Sequence, residues 1–486
     1  MKRRLRIAAA LALAVVSACS RPAVKRPAET APTPIAAAPS APSWTAAELR
    51  TLQSQLRGAL GASALATSGV AIVDANGRPL FERRAATPMT PASTFKVLVG
   101  ATALATLGPS FRFPTTFEAG ADPQDGAIPG DLYLVGSGDP ALTRDDLLAG
   151  VGALFHAGVR EVHGAIVADA SVFAGPEVNR GWDPDDLQYG FAAGTSALSL
   201  DQGTVEFHLV PSSVGAPAHI ITRPPTTMVR TSGAVITSYT TLLSIERDPA
   251  RNDFTFSGRI AAGAEQSFWR PVTQLALYAA GTARTMLRAR GIQVDGGIGT
   301  GIAPLAPFVV WRHRSPPLSE IVQQMFLESN NHFAEQLLRA VGVTRGLGTG
   351  ANGEAVERAV LARDGVPAEG LRVVDGSGLA PGDRIAPLTL ALLLSRTAAE
   401  PVGRVFIAAF PRVGIEGTVK WRRLTDGRGR VRAKSGHIEN VNALAGFVQT
   451  RRHGRVAFAI LVNDPRADDG IVDQGINNAL DTLARS

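Results

Sequence analysis

Alternating apolar and polar positions mark strands at both ends of the chain. Near the start, the runs 69–74 and 80–83 alternate, and Asn76-Gly77 between them is a strong signal for a tight hairpin turn. Near the end, three successive strands are predicted at 431–436, 442–449 and 456–463. Two strands cannot form a stable domain alone. The sequence therefore predicts one antiparallel sheet of about five strands, built from both ends of the chain.

Helical periodicity, with apolar residues three and four positions apart, recurs through the rest of the chain. The predicted helices lie at 46–60, 97–107, 144–157, 272–290, 315–327, 332–341, 353–362, 386–398 and 471–483. Ser315 is predicted to cap the fifth of these helices, with Pro316 at its first helical position. We expect the first and last helices to pack on one face of the terminal sheet.

The order of these elements predicts an α+β fold with a long segment inserted into a domain that both chain ends build. We place the first part of that domain at 45–109, the inserted region at 110–307 and the second part at 308–486. Within the inserted region the pattern predicts short strands and loop-rich β segments around few helices.

Composition and charge exclude several classes of function. The chain has 486 residues, of which 45% are hydrophobic and 19% charged, as in ordinary globular proteins. Its net charge of +7 comes from scattered arginines, and no long basic block alternates with aromatic residues. Nucleic acid is therefore a poor candidate partner. The eight histidines form no metal-binding motif, so neither a metal site nor a cofactor is predicted.

The first residues predict an export signal over 1–18. A basic start, Met1 to Arg6, precedes a short apolar run, Ile7 to Val16, which is too short to span a bilayer as a mature helix. The end of this segment, Val16-Ser17-Ala18-Cys19, resembles a bacterial lipobox, in which Cys19 becomes the lipidated first residue. With Ser20 after the cysteine, the resemblance implies a periplasmic protein anchored to the outer membrane through a linker over 19–44. The alternative is a soluble export signal with an incidental cysteine.

Ser93 and Lys96 are the first candidates for chemistry. They stand three residues apart at the start of the helix predicted over 97–107, so their side chains share one face and can meet. A serine becomes a strong nucleophile when a neighbouring base takes its proton. Only five of the 49 basic residues are lysines, and lysine, unlike arginine, can act as that base. Such a pair also occurs by chance on solvated helix faces, so it needs support from other elements.

Two distant elements supply that support: Ser329-x-Asn331 between two predicted helices, and Lys434-Ser435-Gly436 on a predicted strand. With Ser93-x-x-Lys96, they resemble the triple signature of the penicillin-binding protein and β-lactamase superfamily. Further motifs narrow the resemblance to class C low-molecular-mass penicillin-binding proteins of the penicillin-binding protein 4 type. These motifs are Pro91 to Lys96, Leu134 to Pro140, Gly181-Trp182, Glu328 to Asn331, Asp375 to Leu379 and Ala433 to Gly436.

The resemblance implies a fold and a function. The fold is a transpeptidase-like domain with a five-stranded antiparallel sheet and an inserted region of two smaller domains. The function is that of a serine-type D-Ala-D-Ala carboxypeptidase, with endopeptidase activity as a possible addition, acting on peptidoglycan stem peptides and acylated by β-lactams without a cofactor. The alternatives are a serine β-lactamase, which the long insertion disfavours, and a non-catalytic lipoprotein that binds the cell wall.

The resemblance also implies roles for individual residues. Ser93 is the expected nucleophile and Lys96 its base, while the N–H groups of Ser93 and His437 stabilise the oxyanion. Catalytic roles also fall to Ser329, which relays a proton, and to Asn331 and Lys434. The expected substrate-binding residues are Ser435, Gly436, His437, Asp186 and Phe191. The family's arginine after Asp-Gly-Ser-Gly-Leu is replaced here by Pro381, for which Arg384 is the candidate substitute.

Overall fold

Both ends of the chain contribute strands to one antiparallel sheet. The computed structural model describes residues 42–248, 250–464, 466 and 468–486. The predicted signal, Cys19 and nearly all of the predicted linker lie outside these residues. The sheet has the order β18-β19-β20-β1-β2, so strands from the end of the chain pair with the first hairpin. The prediction of a five-stranded antiparallel sheet within an α+β fold is confirmed.

The α-helices of the described residues, numbered in chain order, have these bounds: α1 Ala46–Ala59, α2 Lys96–Leu107, α3 Arg144–His156, α4 Leu275–Ala289, α5 Leu318–Glu328, α6 Asn331–Gly342, α7 Gly350–Arg363, α8 Pro387–Ala399, α9 Gly403–Ala409 and α10 Asp469–Arg485.

The strands have these bounds: β1 Gly69–Val73, β2 Pro79–Arg83, β3 Pro114–Ala119, β4 Ala127–Ile128, β5 Leu132–Gly136, β6 Glu161–Val162, β7 Ile166–Asp169, β8 Thr204–Val210, β9 His219–Arg223, β10 Arg230–Gly233, β11 Ile236–Ser238, β12 Leu242–Arg247, β13 Asp253–Ala261, β14 Gln266–Pro271, β15 Gln293–Val294, β16 Ile298–Thr300, β17 Phe308–Arg314, β18 Val431–Ile438, β19 Val441–Gln449 and β20 Arg455–Asn463.

The two faces of the terminal sheet belong to different hydrophobic cores. Side chains alternate along a strand, so Ala71 and Val73 of β1 join one core while Val70 and Ile72 join the other. The first core contains residues of α2, α5, α6 and α8, and the second contains residues of α1 and α10. The terminal helices therefore share one face, as expected, and the helix that follows Ser93 is packed against the other.

The helix predicted over 315–327 begins later than expected. Residues that precede a proline disfavour helical backbone angles, and both Ser315 and Pro316 precede one. The helix α5 therefore starts at Leu318, with Pro317 extended at the N-cap position. The Ser315 hydroxyl does not cap this helix; it accepts from the N–H of Phe113 at 2.9 Å and donates to the carbonyl of Pro316.

The segment between α2 and α5 forms further sheets around a core of its own. A mixed sheet has the order β16-β7-β5-β3-β17, and its strands β3 and β17 pair with Pro114 opposite Arg314. Smaller sheets are β15-β6-β4, β14-β8-β9 and a sheet of β10 to β13. The core beneath them consists of residues from 117 to 294, with Val310 and Trp311 packed against it. Where the domain boundaries lie within this arrangement stays a prediction.

In the part of the chain that the structure describes, every helix is too short or too polar to cross a bilayer.

Candidate active site

Ser93 lies where a short 3-10 turn, Ala92–Phe95, runs directly into α2. The turn is entered through Ala92, whose φ of 45° is uncommon for a residue with a side chain. Such local strain is typical of functional sites, where the surrounding structure holds it in place. Ser93 itself stays partly exposed, although its neighbours Ala92 and Thr94 are buried. The turn thus presents one hydroxyl at the surface of an otherwise buried helix start.

Lys96 is completely buried, and its amine lies 2.9 Å from the Ser93 hydroxyl oxygen. The amine also contacts the side-chain oxygen of Asn331 at 2.7 Å and the carbonyl oxygen of Ser377 at 2.6 Å. Burial lowers the pKa of Lys96 to about 7, although nearby carboxyl groups, Asp375 first among them, act in the opposite direction. A large fraction of the lysine is therefore neutral at neutral pH, the state in which it can accept a proton.

The segment 329–331 bends sharply between α5 and α6. Ser329 ends α5 with a left-handed backbone at φ 60°, and the Asn330 side chain caps α6 by accepting the N–H of Phe333 at 3.0 Å. The Asn331 side-chain amide donates to the carbonyl of Phe191 at 3.0 Å, which turns its oxygen toward Lys96. The bend therefore carries the Ser329 and Asn331 side chains on one short loop beside the nucleophile.

Strand β18 forms the opposite wall of the site. Lys434 is buried, and its amine lies 2.8 Å from the Ser329 hydroxyl and 2.6 Å from the carbonyl of Ser435. Burial lowers the pKa of Lys434 well below its usual value, and the positive charge of Lys96 lowers it further. The Ser435 hydroxyl is hydrogen-bonded to that of Thr418 at 2.7 Å.

Gly436 allows this strand to lie directly against the Ser93 turn. A β-carbon at this position would be 2.7 Å from the carbonyl oxygen of Pro91 and 2.9 Å from the nitrogen of Ser93. The next residue, His437, is exposed, and its imidazole contacts Asn442 at 3.0 Å. The structure thus brings together six of the sequence-predicted residues: Ser93, Lys96, Ser329, Asn331, Lys434 and Gly436.

Phe191, Asp186 and Arg384 lie on segments other than the Ser93 turn, the 329–331 bend and β18. Phe191 is half exposed, is stacked on Tyr189, and contacts the site through its backbone carbonyl, which accepts from Asn331. Asp186 lies in an acidic turn, where desolvation and then the neighbouring Asp183 raise its pKa. The guanidinium of Arg384 is bonded to the carbonyls of Pro381 and Asp383 within its own turn.

A groove of about 1060 Å³ begins at the 329–331 bend. It passes Phe191 and Trp269 and continues to Arg112 and His313, so it lies between α5 and the segment that contains β3 to β17. Its wall mixes aromatic, acidic and basic side chains. Pockets that hold drug-sized ligands span roughly 300–1,000 Å³, and this groove reaches the upper end of that range. It is therefore larger than two alanine residues require.

A cluster of buried carboxyl groups lies behind Lys96, and the sequence motifs assigned it no role. Asp375 and Asp383 are both fully buried in the turn after α7, and Glu335 is buried on α6. Burial and the charge of Asp375 raise the pKa of Asp383 to about 10 and that of Glu335 to about 8. The sequence offered one signal, the motif Asp375 to Leu379, but it did not reveal which acids are buried.

Comparison with known proteins identifies the family to which this arrangement belongs. Residues 52–486 match the D-Ala-D-Ala carboxypeptidase 3 (S13) family. The chain belongs to that family. It is therefore a serine-type D-Ala-D-Ala carboxypeptidase, and the resemblance to class C low-molecular-mass penicillin-binding proteins is confirmed.

Individual members of the family cover most of the enzyme. It is 32% identical over 453 residues to a D-alanyl-D-alanine carboxypeptidase of Actinomadura sp. (strain R39), covering 88% of this chain and 84% of that one. It is 27% identical over 395 residues to the D-alanyl-D-alanine carboxypeptidase DacB of Haemophilus influenzae, covering 77% and 80% of the two chains. The crystal structure of penicillin-binding protein 4 from Haemophilus influenzae superimposes with a TM-score of 0.77 at 25% identity, covering 89% and 99% of the two chains.

Proposed function

We propose that the enzyme removes the terminal D-alanine from peptidoglycan stem peptides through an acyl-enzyme on Ser93. The contact that supports this most directly is the 2.9 Å approach of the Lys96 amine to the Ser93 hydroxyl. In the first step the Ser93 oxygen attacks the carbonyl carbon between the two D-alanines, and Lys96 takes the hydroxyl proton. The N–H groups of Ser93 and His437 hold the negative oxygen that forms.

The second step expels D-alanine. As the C–N bond breaks, the proton that Lys96 took passes through the Ser329 hydroxyl to the leaving nitrogen, so both side chains return to their starting states. The Lys434 amine, 2.8 Å from the Ser329 hydroxyl, donates a hydrogen bond to it and holds it in place. Lys434, Ser435 and His437 attract the terminal carboxylate of the substrate, while Asn331 and Gly436 keep the reacting peptide against Ser93. Water then hydrolyses the ester and frees Ser93.

The same geometry suits β-lactams, whose strained amide a serine nucleophile can open. A related structure of Haemophilus influenzae penicillin-binding protein 4 is complexed with a β-lactam. For this enzyme we expect labelled penicillin to form a long-lived adduct on the peptide that contains Ser93, detected by mass spectrometry. The absence of any adduct would refute the proposal, and rapid turnover of the drug would favour a β-lactamase instead.

The groove supports a second activity, the cleavage of crosslinks between stem peptides. A carboxypeptidase releases only one D-alanine, whereas an endopeptidase must also accommodate a second stem peptide on the leaving side. A groove of about 1060 Å³ that begins at the 329–331 bend offers that room. The test is incubation with purified crosslinked muropeptide dimers, with conversion to monomers as the expected result. Release of D-alanine from pentapeptides with intact dimers would limit the enzyme to carboxypeptidase activity.

We further propose that Asp186 and Phe191 contact the diamino acid of the stem peptide. Phe191 borders the groove next to Asn331.

We also propose that a lipid attached to Cys19 anchors the enzyme in the periplasm. If the anchor exists, Cys19→Ser should release the protein from the membrane fraction into the soluble fraction. Continued membrane association of this variant would contradict the lipid anchor.

A further inference from the structure

The three partners of the Lys96 amine match the valence of a neutral amine. A neutral primary amine has two hydrogens and one lone pair. The side-chain oxygen of Asn331 and the carbonyl oxygen of Ser377 can only accept hydrogen bonds, whereas the Ser93 hydroxyl can donate one. When Lys96 is neutral, its hydrogens therefore go to Asn331 and Ser377. The lone pair then faces Ser93, where a base is needed.

The direction of the Ser377 carbonyl is fixed by Asp375. One oxygen of the Asp375 carboxylate accepts the N–H groups of Ser377 at 2.8 Å and Gly378 at 2.5 Å. The other oxygen accepts the N–H of Ala380 at 2.8 Å. These three bonds wrap the backbone of 377–380 around one buried carboxylate, so the peptide that carries the Ser377 carbonyl has little freedom to rotate.

Gly378 lets this turn approach the Ser93 turn closely. Its φ is 76°, and a β-carbon there would be 1.9 Å from the carbonyl oxygen of Ala92. The turn that holds the Ser377 carbonyl is thus in direct backbone contact with the turn that holds the nucleophile.

A fourth donor to Asp375 comes from the segment inserted between α2 and α5. The indole N–H of Trp182 donates to the carboxylate at 2.5 Å, and the Trp182 ring is buried against Ala380 and Leu379. Asn179, close by in the chain, donates to the carbonyl of Val374 at 2.7 Å. The inserted segment therefore holds the 374–380 turn through two hydrogen bonds, one from Trp182 and one from Asn179.

We propose that Asp375, held by Trp182, is a positioning residue for the Lys96 base: it fixes the Ser377 carbonyl that turns the lysine lone pair toward Ser93. The inference rests on the proposed function, because it assumes that Lys96 takes the Ser93 proton. It gives the inserted segment a part in the chemical step as well as in forming the groove.

The charges around Lys96 agree with this role. Asp375, Glu335 and Asp383 all raise the pKa of Lys96 against the effect of burial, and Asp375 contributes most. Asp383 and Glu335 are themselves held mostly neutral by burial and by Asp375. Two cationic side chains also belong to this group of charges. They are Lys434, whose own pKa is lowered by the charge of Lys96, and Arg339, which lowers the pKa of Glu335. Among these carboxyl groups, Asp375 therefore has the largest effect on the pKa of Lys96.

Trp182→Phe is the first test, because it removes the indole N–H and keeps an aromatic ring in the pocket. The acylation rate constant with labelled penicillin is expected to fall about tenfold, the effect of losing one hydrogen bond to a charged group. The dissociation constant of the complex that precedes acylation should not change, because residues 374–380 are not among those that line the groove. Trp311→Phe is the matched control, since the Trp311 ring packs on Phe117 and His313 instead.

Asp375→Asn is the second test, and its readout is the pH profile of acylation. Without the negative charge the pKa of Lys96 falls, so the acid limb of the profile should move to lower pH while the maximal rate decreases. A purely structural residue would lower the rate without moving that limb, and this outcome would overturn the proposal. If Asp375→Asn does not fold, the Trp182→Phe result decides: wild-type acylation by that variant would overturn the proposal, and a tenfold loss with unchanged binding would support it.

The two proposals fail in different ways. If the wild-type enzyme forms no adduct on Ser93, the proposed function is wrong. If the wild type forms the adduct and both variants acylate like the wild type, the proposed function stands and the positioning role of Asp375 is wrong.

Discussion

The ionisation of Lys96 is the residue-scale property on which catalysis depends. Burial has moved the pKa of this amine to about 7, which places its protonation change within the physiological range. A base acts only in its neutral form. Acylation by penicillin is therefore expected to rise with pH and to level off above about 7. Stopped-flow acylation between pH 5 and 9 measures this limb; a rate that is flat across that range would show that Lys96 is not the base.

Lys96→Arg tests the same residue without changing its charge at low pH. A guanidinium cannot give up a proton in a protein, so it cannot serve as the base. We expect acylation to fall by roughly 10²–10⁴-fold, the usual contribution of general-base catalysis. Intact-mass measurement of the penicillin adduct over time gives the rate. Acylation near the wild-type rate would contradict the assignment, provided that the thermal unfolding midpoint of the variant stays close to that of the wild type.

The chemistry of single residues was readable from the sequence where a residue type restricts what it can do. Lysine is rare in this chain, and Lys96 stands out because arginine could not replace it as a base. The burial of Asp375, Asp383 and Glu335 could not be predicted from the sequence, because it depends on how distant segments pack together. The roles of the predicted site residues therefore still depend on the experiments above.

At the scale of elements, the contact between β18 and the Ser93 turn is sensitive to side-chain size. Gly436→Ala would place a methyl group 2.7 to 3.0 Å from three backbone atoms of 91–94, which must then move apart. We expect at least a tenfold loss in acylation, because removal of one oxyanion donor alone costs about 10²–10³ in rate. Penicillin acylation and the unfolding midpoint should be measured together.

Gly152→Ala is the control for that substitution. Gly152 lies in α3, and a β-carbon there meets no atom within 4 Å. Alanine favours a helix over glycine by about 0.5–1 kcal/mol, so this variant should be as stable as the wild type or slightly more stable. If both variants behave alike, close packing at Gly436 is not what shapes the site.

Elements were predicted well where a repeat or a turn signal was local. The first hairpin follows from Asn76-Gly77, and the strands β18 to β20 from their apolar runs. The start of α5 was wrong because Ser315 resembles a helix cap, whereas the two prolines after it delay the helix. The 3-10 turn around Ser93 was also not expected; it packs against Gly378, which is distant in the sequence.

At the scale of the whole molecule, strands β3 and β17 close the inserted segment on itself. Pro114 pairs with Arg314, and the N–H of Ser315 bonds to the carbonyl of Phe113 at 3.0 Å, so the two ends of the segment are adjacent. The core from 117 to 294 is separate from the cores of the terminal sheet. We therefore expect a fragment of residues 114–314 to fold alone, with one cooperative thermal transition by circular dichroism.

The matched control is a fragment of residues 114–307, which ends at the boundary inferred from sequence. It lacks β17, so β3 loses one of its two neighbours in the sheet. A lower unfolding midpoint for this shorter fragment would place the boundary after Arg314. Equal midpoints, or no cooperative transition in either fragment, would contradict the separate folding of this segment.

The pairing of β1 with β20 also has a consequence for how quickly the enzyme can fold. Gly69 pairs with Leu461, so β1, an inner strand of the sheet, pairs with a strand that is synthesised almost last. Contacts between residues so far apart in the chain make folding slow, because a very long loop must close before they contribute. A shortened chain that ends before Arg455 would leave β1 with an unpaired edge. Such an edge is a template for association with other chains, so incomplete copies of this enzyme are expected to aggregate.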